Sequence, residues 1–110
     1  MRTADTLPHP RRDELELAAV LHALSDPVRL RIVAELAGGH DRTCGSFELP
    51  VTKSTCTHHF RVLREAGVIR QRAEGTTRVN TLRREDLDAR FPSMLDAILD
   101  AAQPRASISA

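Results

Sequence analysis

The sequence predicts a mainly α-helical protein with one small β-hairpin. Apolar residues recur at helical spacing along most of the 110-residue chain, and two β-prone runs flank Glu74-Gly75. This length suits one domain, since single domains typically hold about 50 to 200 residues. We expect a flexible arm over residues 1–10, a folded domain over residues 11–102 and a disordered tail over residues 103–110.

The first two helices are predicted from apolar spacing and from their capping residues. Leu17, Leu21 and Leu24 recur at i, i+4 and i+7, which predicts a helix over about residues 11–24. A second helix should begin after Asp26, whose carboxylate can accept hydrogen bonds from free backbone amides, and Pro27 suits the first helical position. The pair of glycines at residues 38–39 should end this helix.

Residues 40–52 favour a compact third helix of one or two turns, because Gly45 and Pro50 leave little room for more. Thr52 then caps a fourth helix, predicted over residues 53–66 and stopped by Gly67. Its inward stripe is apolar and comprises Cys56, Phe60 and Leu63. Its outward side has short hydrogen-bonding groups followed by cations, and it comprises Ser54, Thr57, His58, Arg61 and either Arg64 or Glu65. His59 should pack beside Phe60.

The second half of the chain predicts a hairpin and a final helix. The β-prone runs at residues 68–72 and 76–82 form the hairpin around Gly75, which suits a tight turn. A proline inside a helix costs about 3 kcal/mol. We therefore expect only a short turn at residues 84–90, followed by a helix from about Pro92 to Ala102.

Charge is distributed unevenly along the chain. The net charge is +1, yet residues 53–84 carry eight Lys and Arg against two Asp and Glu, while both flanking segments are net acidic. A basic segment between acidic flanks is expected where one face of a protein meets phosphate groups.

The order of helices followed by a basic hairpin is typical of a winged helix-turn-helix domain. A helix of this length fits the major groove of duplex DNA, where each base pair shows a distinct hydrogen-bonding pattern. Polar residues on the fourth helix and cations on the hairpin can reach base edges and phosphates. The candidate DNA-binding residues are Lys53, Ser54, Thr55, Thr57, His58, Arg61, Arg64, Arg70, Arg72, Thr76, Thr77 and Arg78.

Two segments resemble the ArsR/SmtB family of bacterial regulators. HALSDPVRLRI at residues 22–32 is similar to the opening of that family's domain, and STCTHHFRVLREAGVI at residues 54–69 is similar to its recognition helix. The resemblance implies a homodimer built from the first and last helices, binding to an inverted-repeat operator in double-stranded DNA, and repression that a ligand relieves.

Metal sensing is a further expectation, and its residues differ from the best-known family sites. Cys44 and Cys56 form neither a CxC nor a CxxC pair, which argues against a soft-metal thiolate site. Imidazole and carboxylate ligands suit nickel or zinc, and a nickel-responsive member of the family is similar in length and arm. The candidate ligands are His9, His22, Asp96 and Asp100, which could meet across a dimer interface or could be ordinary surface residues.

Other function classes have less support. No Gly-rich phosphate loop is present and neither cysteine has a visible catalytic partner, so we expect no enzyme activity. No apolar run is long enough to cross a membrane and no signal peptide is apparent, which predicts a cytoplasmic protein without membrane contact. The main alternative is a winged-helix protein-interaction module that modulates another regulator and has no effector of its own.

Overall fold

The computed structural model describes residues 6–103. Five helices and three strands make up the fold: α1 (Leu17–Ala23), α2 (Pro27–Leu36), β1 (Arg42–Thr43), α3 (Lys53–Ala66), β2 (Ile69–Glu74), β3 (Thr77–Leu82), α4 (Arg84–Arg90) and α5 (Met94–Ala102). Residues 1–5 of the predicted arm, and residues 104–110 of the predicted tail, lie outside the described residues. None of the helices described over residues 6–103 is both long enough and apolar enough to span a bilayer.

The predicted first helix is broken into two pieces. A 3-10 turn occupies Arg12–Glu14, Leu15 and Glu16 are extended, and α1 begins only at Leu17. Leu15 is buried, and its carbonyl oxygen accepts a hydrogen bond from the guanidinium of Arg90, 75 residues away. The helical prediction over residues 11–16 was therefore wrong, because burying Leu15 requires extended backbone at that point.

The caps predicted for α2 are confirmed. The Asp26 carboxylate accepts hydrogen bonds from the backbone amides of Val28 at 2.8 Å and Arg29 at 3.2 Å, and Pro27 is the first helical residue. Burial alone would raise the pKa of Asp26, but these two amides hold it below its ordinary value. The helix ends at Leu36, and Gly39 has a φ of +99°.

Residues 40–52 do not form the predicted third α-helix. Arg42 and Thr43 form the short strand β1, which pairs with Asn80 and Val79 of β3, and a 3-10 turn follows over Cys44–Ser46. The prediction was wrong because β3 has a free edge whose amides and carbonyls need partners. The sheet therefore has three antiparallel strands in the order β1-β3-β2, one more than the predicted hairpin.

The predicted bounds of α3 are confirmed at both ends. Thr52 Oγ1 accepts a hydrogen bond from the Thr55 amide, and Gly67 ends the helix with a φ of +88°. A Cβ on Gly67 would lie 2.1 Å from Leu15 Cδ2. Gly67 is therefore required both for its backbone conformation and for the close approach of Leu15.

The hairpin of β2 and β3 is also confirmed, with Gly75 at a φ of +62° in its two-residue turn. The described part of the arm lies beside this hairpin. Thr6 forms a bridge with Arg72 on the outer edge of β2, and the Leu7 amide donates to the carbonyl oxygen of Gln71 at 2.9 Å. The described part of the arm therefore covers the edge of the hairpin.

The C-terminal elements pack the first half of the chain against the sheet. The segment predicted as a turn is the helix α4, and α5 begins at Met94, two residues after the predicted start at Pro92. Leu87 of α4 and Leu95 of α5 are fully buried in the same core as Ile32, Val33 and Leu63. One continuous core therefore fixes α3 against the rest of the domain.

Candidate nucleic-acid interface

The helix α3 is divided into a buried face and an exposed polar face. The buried face consists of His59, Phe60, Leu63 and Ala66, and Phe60 also contacts the ring of Phe47 at a centroid distance of 5.4 Å. The six exposed residues among those predicted to bind DNA on this helix are Lys53, Ser54, Thr55, Thr57, His58 and Arg61. The core therefore holds α3 with these side chains exposed at the surface.

Some polar groups near the start of α3 also stabilise the helix itself. The Thr52 hydroxyl lies 3.0 Å from that of Thr55, and the Thr57 hydroxyl donates to the Lys53 carbonyl oxygen at 3.1 Å. A hydroxyl that donates one hydrogen bond keeps its lone pairs as acceptors. Thr57 can therefore support the helix and still accept a hydrogen bond from outside.

The wing, defined as β2, β3 and their turn, carries arginines with different partners. Arg72 forms ion pairs with Glu74 at 3.0 Å and with Asp41 at 3.5 Å, while Arg70 lies 3.9 Å from Asp86. Arg78 is exposed, and so are Thr76 and Thr77 beside it. Within residues 6–103, neither Arg78 nor Arg61 forms an ion pair. Lys53 is also exposed and likewise forms no ion pair within the described residues, so these three cations are the ones most available to an external anion.

The carboxylate of Asp86 forms ion pairs with arginines from three different segments of the chain. Its carboxylate accepts hydrogen bonds from Arg12 Nε at 2.7 Å and Arg83 Nε at 2.9 Å. Burial would raise the pKa of Asp86, but these two guanidinium groups hold it below its ordinary value. Arg70 therefore lies beside a carboxylate that already has two closer cationic partners.

Arg64 points to the arm and not to the exposed face of α3. Its Nε donates to the Pro8 carbonyl oxygen at 3.1 Å, and its Nη1 donates to Gln71 Oε1 at 2.7 Å. Burial lowers the pKa of this half-buried guanidinium, although the group stays cationic at neutral pH. The structure thus gives Arg64 an internal partner that spacing along a helix could not reveal.

A crevice lies between α3 and the wing, with a volume of about 390 Å³. Five of the residues predicted to bind DNA line it together, and they come from both elements: Lys53, Thr57, Thr76, Thr77 and Arg78. Phe60 and Cys44 also line it. The structure therefore brings the start of α3 and the tip of the wing to one surface.

Sequence reasoning missed a buried link between α2 and α3. Arg29 is buried, donating from Nε to the Ala23 carbonyl oxygen at 2.6 Å and lying 3.1 Å from His59 Nδ1 through Nη1. Burial lowers the pKa of His59, and the positive charge of Arg29 lowers it further. The burial of Arg29 could have been predicted from its position in the sequence. Arg29 lies at helical spacing from Ile32, Val33 and Leu36 and therefore shares their buried face of α2.

The four candidate metal ligands are not brought together within one chain. His9 Nδ1 lies 3.0 Å from the Leu7 carbonyl oxygen, His22 is exposed on α1, and Asp96 accepts a hydrogen bond from Arg84 at 2.9 Å. Asp100 is exposed on α5. Over residues 6–103, no group of three or more His, Cys, Asp and Glu side chains is arranged to hold a metal ion.

Comparison with known sequences agrees with this geometry. The family described as "Helix-turn-helix domain" matches residues 24–72, a range that spans α2, the whole of α3 and much of β2. The uncharacterized HTH-type transcriptional regulator YceK of Bacillus subtilis is 32% identical over 89 residues, which cover 78% of this chain and 89% of YceK. The uncharacterized HTH-type transcriptional regulator MJ1325 of Methanocaldococcus jannaschii is 38% identical over 61 residues, which cover 54% of this chain and 68% of MJ1325.

A solved structure has the same fold. It is the crystal structure of an ArsR family transcriptional regulator, RHA00566, which superposes with a TM-score of 0.63 at 20% sequence identity. The superposition covers 80% of this chain and 98% of that one. The arrangement of helices and wing described above is therefore that of a whole ArsR-type domain.

Proposed function

The chain belongs to the HTH-type transcriptional regulators and has an ArsR-type winged helix-turn-helix fold, and we propose that it acts as a homodimer on an inverted-repeat operator in duplex DNA. In this proposal α3 enters the major groove and the wing contacts the adjacent backbone. The protein then works as a repressor, in the cytoplasm where its DNA ligand is found.

The exposed face of α3 is the observation that carries the proposal. A helix of 14 residues is about 21 Å long and fits the major groove, which is about 12 Å wide. Ser54, Thr57 and His58 offer the hydrogen-bonding groups that read base edges, and Arg61 follows them as a cation without an internal partner in the described chain. Such a face combines base readout with phosphate contact.

Exposed apolar residues on α1 support the homodimer. Leu17 and Leu21 are 47% and 44% exposed, and no other large apolar side chain of residues 6–103 is exposed to that degree. Both lie on one side of α1 at a spacing of four residues. In the proposed dimer these side chains are buried against a second copy, together with α5. Half-sites on one face of the DNA lie about one helical turn apart, roughly 34 Å, and the two copies of α3 would have to match that spacing.

The protein-interaction module is the weaker candidate. A partner-binding helix normally presents apolar anchors to its partner. The exposed residues at the start of α3 are instead hydroxyls, an imidazole and a lysine, and the exposed apolar pair is on α1. The charge and polarity of α3 therefore favour DNA over a protein groove.

We also propose that the regulator responds to nickel or zinc, and this response requires the second subunit. Because no three of these residues come together within the described part of one chain, a site made of His9, His22, Asp96 or Asp100 has to form between two copies. Calorimetric titration with each metal tests this, with His22→Ala as the variant. Saturable binding that His22→Ala removes supports a metal effector, and no saturable binding to the dimer rejects it.

Binding to DNA from upstream of the protein's own gene tests the main proposal. Fluorescence anisotropy at several salt concentrations gives the affinity and its salt dependence. Arg61→Ala and Arg78→Ala should each weaken binding and reduce the slope of log K against log salt by about 1, because each removes one phosphate contact. Arg11→Ala is the matched control, since Arg11 is 73% exposed and pairs with Asp13 far from the start of α3. Equal binding by all four proteins would reject the proposed docking.

A further inference from the structure

Two amide side chains are buried on the inner face of the wing. Gln71 of β2 and Asn80 of β3 lie opposite each other in the strand register and are 1% and 0% exposed. The pair before them on the same face, Ile69 and Leu82, is apolar and packs in the core. A strand that buries one face normally keeps that face apolar. A buried polar pair at this position therefore indicates a role other than filling the core.

The two amides form a continuous chain of hydrogen bonds from α3 to β1. Arg64 Nη1 of α3 donates to Gln71 Oε1 at 2.7 Å, and Gln71 Nε2 donates to Asn80 Oδ1 at 2.8 Å. Asn80 Nδ2 then donates to the Arg42 carbonyl oxygen of β1 at 3.0 Å. Both amide nitrogens also donate weaker bonds to Cys44 Sγ, at 3.7 and 3.3 Å. One polar network thus joins α3, both strands of the wing and β1.

The network lies between the base of the wing and its tip. At the base, Val68 and Ile69 are fully buried, whereas at the tip Ala73 and Arg78 are exposed. Three strand pairs separate the two amides from the turn. Apolar burial is non-directional, but a hydrogen bond requires a narrow range of distance and angle. The amide pair is therefore well placed to fix the angle between the tip of the wing and α3.

We propose that Gln71 and Asn80 are positioning residues for DNA binding, which hold the wing at one angle to α3 so that both elements contact the same half-site. The inference rests on the proposed DNA binding and extends it to two residues that do not touch DNA. Arg61 on α3 and Arg78 on the wing then approach the DNA as one rigid unit. A wing that already has the required angle loses little conformational freedom when it binds.

Positioning can be separated from stability by apolar replacement of the pair. When both members of a buried polar pair are replaced by apolar groups of the same shape, stability can remain nearly unchanged. Gln71→Met combined with Asn80→Leu, here called the amide double variant, keeps the size of both side chains. Arg64 is half-buried, so its released Nη1 can bind water. The variant should therefore fold without the directional link between α3 and the wing.

Fluorescence anisotropy with operator DNA tests whether the two DNA-contacting elements become uncoupled. Arg61→Ala and Arg78→Ala are each introduced into the wild-type protein and into the amide double variant. The amide replacement alone should weaken binding about fivefold or more. Because the wing contact is then already lost, Arg78→Ala should weaken the double variant by no more than about twofold. Arg61→Ala should weaken both proteins by the same factor.

A second measurement on the free protein does not depend on DNA. Residual dipolar couplings of the backbone amides report the orientations of α3 and the wing relative to each other. One alignment frame should fit both elements in the wild-type protein, and the couplings of the wing should be reduced relative to those of α3 in the amide double variant. Thr81→Val is the matched control, because it makes a polar side chain apolar at the same size on the opposite face of β3. This control should behave as the wild type does.

Equal losses of affinity from Arg78→Ala in the two backgrounds overturn the inference, and so does a single alignment frame in the amide double variant. If that variant lacks a cooperative unfolding transition in urea, Gln71→Met alone takes its place, since it leaves Asn80 bonded to Arg42 and removes only the link to α3. Failure of the wild-type protein to bind DNA contradicts the proposed function instead. The dipolar couplings still decide in that case whether the amides fix the wing.

Discussion

The guanidinium of Arg29 lies 3.1 Å from Nδ1 of His59, so that a buried cation on α2 contacts the helix that presents the candidate DNA-binding face. The same guanidinium donates to the Ala23 carbonyl oxygen at the end of α1 and lies 3.4 Å from that of His22. One side chain thus connects the end of α1 with α2 and α3. A buried charge is retained at low cost only when such hydrogen bonds satisfy it.

Removal of this guanidinium should destabilise the whole domain. Arg29→Met leaves the Ala23 carbonyl oxygen and the His59 ring without their partner, and we expect a loss of about 2 to 4 kcal/mol in the free energy of unfolding. Urea denaturation followed by circular dichroism measures it. Arg31→Met is the control, because Arg31 is exposed and pairs only with Glu35, and it should change stability by less than about 0.5 kcal/mol. Equal losses in the two variants would show that Arg29 has no special role.

The free energy of unfolding should decrease as the pH is lowered, because the pKa of His59 is lower in the folded protein than in the unfolded chain. Burial, then Arg29 and His58, lower the pKa of His59 in the folded protein, with Asp26 opposing them. The unfolded chain, with a histidine pKa of about 6.5, therefore takes up the proton first as the pH falls. The free energy of unfolding should decrease from about pH 6.5 down to the folded pKa and stay constant with respect to this group above pH 7.5.

Urea denaturation between pH 7.5 and 5.5 measures this effect, with His59→Gln as the comparison. Glutamine can accept a hydrogen bond from Arg29 but does not titrate, so the variant should have a smaller slope over that range. Asp26 and Asp86 have lowered pKa values, so their stabilisation is lost only at more acidic pH. Identical slopes for the wild-type protein and His59→Gln would refute the assignment.

Gly67 should be far less tolerant of alanine than Gly75. Both have positive φ, but a Cβ at Gly67 would lie 2.1 Å from Leu15 Cδ2, whereas nothing lies within 4 Å of a Cβ at Gly75. We expect Gly75→Ala to cost about 1 kcal/mol in backbone strain. Gly67→Ala should cost about 2 to 4 kcal/mol, since overpacking is added to the strain. Thermal unfolding of the two variants compares them, and the reverse order would contradict the packing described.

Arg64 should hold the arm in place. Arg64→Ala removes the hydrogen bonds to Pro8 and Gln71, so the arm should detach from β2 more often. Hydrogen exchange of the Leu7 amide, which donates to Gln71, should then become about tenfold faster or more. Arg61→Ala, on the same helix but exposed, should leave that exchange rate unchanged. If Arg64→Ala instead weakens DNA binding without affecting Leu7, its main role is contact with DNA.

Thr57 and His58 should differ from Arg61 in how they affect DNA binding. A residue that reads a base edge changes sequence preference by about 1 to 3 kcal/mol for one base pair, while a phosphate contact affects all sequences alike. Thr57→Val and His58→Ala should therefore alter the preferred operator, as measured by selection from a randomised DNA library. A uniform loss of affinity in both variants would identify them as backbone contacts.

Local sequence patterns were enough to predict α2, α3 and the hairpin, because the signals for these elements come from near neighbours in the chain. Asp26 caps an amide two residues away, Thr52 caps one three residues away, and Gly67 and Gly75 supply the positive φ angles that end α3 and turn the hairpin. The apolar spacing of α3 also separated its buried face from its polar face. Caps that link residues two or three positions apart, and glycines at turns, can be recognised from the local sequence alone.

The positions of the remaining segments could not be predicted from local patterns, because contacts between distant residues set them. Leu15 interrupts the first helix to pack beside Gly67, and β1 replaces a predicted helix to pair with β3. The arm lies along β2 and takes Arg64 as its partner. The partners in these contacts are 36 to 64 residues apart in the chain. The energy of burying Leu15 and satisfying the sheet edges comes from groups that no local pattern contains.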